Sequence, residues 1–137
     1  MHASSTAARS DSTLFILRGL LLLEAAGLLA ATIFLSLLAG GTEDLRGPGS
    51  GETAIRFAAG GAFLAAILAA VASRGVRRRK GWGWTLAALL QVIVAIGTGI
   101  AILVADWHPL FLIGFALPTL VMLVLSTSAV RRALGQP

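Results

Sequence analysis

Residues 82–105 read WGWTLAALLQVIVAIGTGIAILVA, without one charged side chain. A helix needs about 20 mostly apolar residues to cross a hydrocarbon core, and this stretch is long enough. A barrel strand would instead alternate every second residue. Three other stretches share its character: residues 14–39, interrupted by Arg18 and Glu24, residues 54–73, and the uncharged residues 109–130. The sequence therefore predicts an all-α fold: a polytopic membrane protein with a four-transmembrane-helix bundle over residues 14–130. Residues 1–13 are polar and small and are expected to form a disordered cytoplasmic tail. Residues 131–137 form a second cytoplasmic tail.

Composition agrees. Of 137 residues, 57% are hydrophobic and 12% charged, against about 25% charged in a soluble domain. Cysteine is absent, which excludes disulfides, thiolate metal sites, a cysteine nucleophile and a lipoprotein anchor. Arginine supplies ten of the eleven basic residues, a bias expected of a high-GC bacterium. The first apolar stretch exceeds the h-region of about 7–15 residues in a signal peptide, and Leu37-Leu38-Ala39 lacks the small residue at its third-last position. It is expected to be a retained span.

The connections are short. Residues 40–53 read GGTEDLRGPGSGET, residues 74–81 read RGVRRRKG, and Asp106-Trp107-His108 barely separates helices three and four. Lysine and arginine collect on the cytoplasmic side of such loops. With both termini inside, the inner side holds nine basic residues (Arg9, Arg18, Arg74, Arg77, Arg78, Arg79, Lys80, Arg131, Arg132), and the outer side holds two, Arg46 and Arg56. Glu43, Asp44, Glu52 and Asp106 fall outside. Trp82 and Trp84 then mark the inner interface and Trp107 the outer one. This placement predicts a multi-pass protein of the bacterial plasma membrane. It also assigns Arg77, Arg78, Arg79 and Lys80 to anionic lipid headgroups and the topology anchor, rather than to nucleic acid.

Inside the membrane, Glu24 lies ten residues beyond Leu14, roughly 15 Å deep and near the middle of a core about 30 Å thick. A carboxyl there must face protein or water, and its uncharged form is the cheaper one to bury. Gln91, nine residues beyond Trp82, reaches a similar depth and interrupts a small-residue stripe of Gly83, Ala87, Ala95 and Gly99. Glu24 and Gln91 are therefore the candidate intramembrane polar pair. Small stripes mark helix contacts in lipid. The second helix carries Ala54, Ala58, Ala62, Ala66 and Ala70, with Gly61, Ala65, Ala69 and Ser73 beside them. Pro118 is the candidate helix kink: it has no N–H to donate and so frees the carbonyl of Gly114. His2 and His108 fall on opposite sides and cannot jointly hold a metal or haem within one subunit. Ser126, Thr127 and Ser128 lack a neighbouring base and are helix-end polar residues. No metal set, cofactor motif or phosphate loop is visible, and an enzyme is not expected.

Residues 74–91, RGVRRRKGWGWTLAALLQ, and residues 124–135, VLSTSAVRRALG, resemble small four-helix integral membrane proteins of actinobacteria that carry no assigned activity. The resemblance implies location and topology only. LLLLEAAGLLAATIF at residues 20–34 is loosely similar to the small multidrug resistance transporters. That similarity implies a proton- and cation-exchanging role for Glu24, but the chain has no tyrosine and lacks that family's aromatic–glycine signature in helix three. The leading functional expectation is a non-enzymatic accessory or interaction subunit, alone with the lipid bilayer, as a homo-oligomer or in a larger membrane complex. The alternative is a proton-coupled small transporter using Glu24.

Overall fold

Apolar residues without polar interruption leave the backbone one way to satisfy its own hydrogen bonds locally, the helix. The structure is a computed structural model that describes residues 2–42, 50–104 and 110–135. Its elements are α1 (His2–Thr42), α2 (Ser50–Arg77), α3 (Gly81–Val104), α4 (Leu110–Leu125) and α5 (Ser128–Ala133). Three helical segments are long and apolar enough to cross a membrane, Asp11–Leu37, Ile55–Arg77 and Gly81–Ile100, while Gly114–Leu125 is a shorter apolar helix. Successive helices pack against one another, most extensively α1 on α2, and α4 returns to α1. Helices α1 to α4 thus close a ring in which α1 and α3 lie opposite each other. The short α5 rests on α1.

Buried side chains recur at three- and four-residue spacing, the signature of one helical face. They are Leu14, Leu17, Leu21 and Ala25 on α1, Ala65, Ala69, Ala72 and Val76 on α2, Ala87 and Leu90 on α3, and Val121 and Leu125 on α4. All lie toward the end of the bundle where α2 turns into α3. Val130 and Leu134 close that end from below. Around the outside, Phe15, Phe34, Phe57, Leu64, Ile96, Leu112 and Leu123 are exposed.

Several boundaries differ from expectation. The N-terminal tail is helical from His2. Extending a formed helix avoids the nucleation cost, and Ala7, Ala8 and Arg9 are good helix formers. On α2, the buried small residues come from both expected rows, Ala66 from one and Ala65, Ala69 and Ser73 from the other, whereas Ala58 and Ala70 of the first and Gly61 of the second are exposed. The fourth helix stops at Leu125 instead of 130, and α5 begins after a break at Ser126 and Thr127. Both hydroxyls donate to backbone carbonyls, Ser126 to Met122 and Thr127 to Val124, and so compete with the helical pattern.

The α2–α3 turn is the tightest feature. Arg79 N–H donates to Val76, Lys80 N–H to Gly75, and Arg79 is left-handed at φ 51°. These are the two bonds of a Schellman cap, with arginine where glycine usually sits. Gly75 and Gly83 meet backbone to backbone: a Cβ on Gly83 would lie 2.7 Å from the Gly75 carbonyl carbon and the Val76 nitrogen.

Gly83→Ala should therefore lower stability by about 1–3 kcal/mol, the usual scale of overpacking. Gly97→Ala, where nothing lies within 4 Å of the added methyl, should be mild. Thermal melts in detergent that ranked the two equally would refute the close crossing. Arg79→Gly should raise stability by up to about 1 kcal/mol by removing left-handed strain, since its exposed pairing with Asp11 contributes little. A lowered melting temperature would contradict this.

Candidate functional site

The buried face of α1 carries Leu17, Leu21, Glu24 and Leu28 in succession, so the carboxyl inherits the direction of the leucines around it. Across the ring, α3 presents Gly83, Ala87 and Gln91 one turn apart. The two small residues remove bulk, and the amide can extend into the centre. Gln91 Nε2 donates to Glu24 Oε2 at 2.8 Å. Glu24 is 3% exposed and Gln91 1%. The sequence-predicted pair is brought together, between helices that are not ring neighbours.

Among the described residues, one oxygen on each group, Glu24 Oε1 and Gln91 Oε1, has no hydrogen-bond partner. Two acceptors facing no donor are costly in a dry site. A neutral carboxylic acid carries an O–H, which supplies the one donor that the pair lacks. The geometry would accommodate an uncharged acid beside the amide, its O–H placed to donate where the two free oxygens lie.

Pro118 is buried on α4, which remains helical through it. The Gly114 carbonyl that it frees is approached by the Thr98 hydroxyl at 3.5 Å, which also donates to Val94 at 2.8 Å. Thr98 lies seven residues beyond Gln91, about 10 Å along α3. The proline therefore creates a separate polar point, distinct from the Glu24 pair. Sequence reasoning passed over Thr98, although a hydroxyl on an apolar helix beside a proline-bearing one was the available signal. It also treated Trp84 only as an interface residue. Its indole N–H donates at 3.1 Å to the Leu125 carbonyl, one of the acceptors left open where α4 ends.

The basic run divides. Arg79 pairs with Asp11 on α1. Arg77 lines two clefts between α1 and α2, one with Asp11, Arg18 and Arg79, the other with Arg18, Ser73 and Arg74. Arg78 and Lys80 are exposed and line neither. Asp106, Trp107 and His108 lie outside the described residues, as do residues 43–49 of the first loop. No protein-family model, curated protein or solved structure matches the chain.

Glu24→Gln should preserve stability or raise it slightly, because a second amide brings the donor that both orphan oxygens lack. Glu24→Leu should cost about 1–2 kcal/mol, the scale of an interhelical hydrogen bond in lipid. Detergent melts in which Glu24→Gln was the more damaging change would show that the carboxyl is needed in its charged form.

Proposed function

We propose that the chain is a four-span protein of the bacterial plasma membrane, with both ends at the cytoplasmic face. It acts as a non-enzymatic accessory or interaction subunit, and its central polar pair holds the bundle together. The observation that carries the reading is the direct 2.8 Å bond between Glu24 and Gln91. Both side chains are committed to each other, and neither α1–α2 cleft includes them.

The bilayer reading is supported by large apolar side chains on every outward face, with Phe57 79% and Phe15 75% exposed. Water would penalise such a surface, whereas lipid tails do not. The orientation is supported by the nine-to-two division of basic residues. The pairing of Asp11 with Arg79 puts the start of the first apolar stretch and the α2–α3 turn at one end of the bundle, so the same membrane face holds both. At 16 residues, α4 spans about 24 Å, less than a core of about 30 Å. On this reading α5 covers the inner end, with Arg131 and Arg132 exposed among the headgroups. The partners are lipid and either further copies of the chain or a larger membrane complex.

One observation favours the second reading, a proton-coupled small transporter. The two orphan oxygens would accept hydrogen bonds from water or a protonated substrate. Infrared difference spectra separate the two readings. A protonated-acid band from Glu24 that ignores pH across the neutral range and resists deuterium exchange is expected of the structural pair. A band that titrates and exchanges freely would establish the transporter instead.

Orientation is tested by cysteine labelling. A cysteine at Thr53, exposed near the start of α2, should react with an impermeant reagent added to intact cells. One at exposed Arg78 should react only after lysis. Labelling at Arg78 alone would invert the topology.

A further inference from the structure

Arg18 sits one turn inside the first apolar stretch, half-buried on α1. A guanidinium at that level in a bilayer is costly unless water or an anion reaches it. Among the described residues Arg18 has no acidic partner, and neither do Arg74 and Arg77. Asp11, the carboxylate beside them, is occupied by Arg79. Yet all three arginines line one hollow between α1 and α2. Arg18 and Leu22, one turn apart on α1, and Ala70, Ser73, Arg74 and Arg77, on one face of α2, line an open hollow of about 210 Å³. Like charges gathered around a hollow repel one another unless an anion occupies it. A second hollow of about 160 Å³ shares Arg18 and Arg77 and is also lined by Asp11 and Arg79.

We infer that the α1–α2 groove is a binding site for an anionic glycerophospholipid, held through its phosphodiester by Arg18, Arg74 and Arg77. Guanidinium groups match phosphate oxygens with paired N–H donors, and the buried Ser73 brings a hydroxyl to the same hollow. A lipid is favoured over free phosphate because the hollow is amphipathic. Leu22, 46% exposed, and Ala70 form its apolar side, where an acyl chain would continue along α1. This site differs from a diffuse basic anchor: it uses Arg18 and Arg74 and leaves out Arg78 and Lys80. It rests on the membrane reading proposed above.

Native mass spectrometry of the full chain, released from mild detergent, tests the site with phosphatidylglycerol and phosphatidylcholine as probes. One phosphatidylglycerol per chain should be retained and phosphatidylcholine lost. Arg18→Gln/Arg74→Gln should weaken retention at least about ten-fold, whereas Arg78→Gln should leave it unchanged. If Arg18→Gln fails to fold, Arg74→Gln alone, at an exposed position, should still lower retention several-fold. Equal retention of phosphatidylcholine, or an equal loss in Arg78→Gln, would overturn the site. Displacement of the lipid by inorganic phosphate at matched concentration would also overturn it, by making the groove a free-anion site. Failure of the membrane reading itself would look different: the chain would stay monodisperse after detergent removal.

Discussion

Among apolar helices that have little reason to choose one neighbour over another, a hydrogen bond between two buried polar groups is a strong discriminator. Glu24 and Gln91 form one at 2.8 Å, and it joins α1 and α3 across the ring rather than along it. Both faces must then point inward at the same level. The leucines before Glu24 and the small residues before Gln91 follow, because each shares a helical face with its polar group. Lipid tails resemble leucine too closely to drive this choice themselves. A single polar pair can therefore set rotation and register for the helices that carry it.

Packing is concentrated on one side of that bond. Leu17, Leu21, Ala69, Ala72, Ala87, Leu90, Val121 and Leu125 are all buried toward the α2–α3 turn. Gly75 and Gly83 bring α2 and α3 into backbone contact there, and Trp84 ties α3 to the end of α4. Beyond Glu24 and Gln91, none of the described side chains at residues 26–37 or 92–100 is buried. The basic residues and the α1–α2 clefts belong to the packed end. The proposed anion site thus lies between the two helices that pack most extensively, α1 and α2.

The helical class, the long apolar helices and the pairing of Glu24 with Gln91 were legible in the sequence. Apolar length and matched counts of residues from the helix starts translate directly into depth at a fixed rise per residue. The ends of helices were less legible. Whether residues 1–13 are irregular, or where α4 stops, depends on small competing terms: helix extension for the first, and the Ser126 and Thr127 hydroxyls for the second. The stripe on α2 was legible only in part, since Ala66 is buried with Ala65, Ala69 and Ser73 while Ala58 and Ala70 are exposed. Alanines and glycines occupy several faces of that helix, so composition could not say which face meets α1.

By itself the sequence determined that this chain forms long apolar helices, carries one polar residue at mid-depth on each of two of them, and sorts its basic residues into particular turns and ends. These are properties of composition and of distance along the chain. Only the tertiary structure decided that Arg79 turns to Asp11 while Arg77 joins Arg18 and Arg74 around a hollow. It also decided that Thr98 meets the carbonyl freed by Pro118, and that Trp84 caps α4. Each of these depends on where a side chain from one helix arrives on another. That position is fixed by how the helices rotate and cross, which no count along a single segment contains.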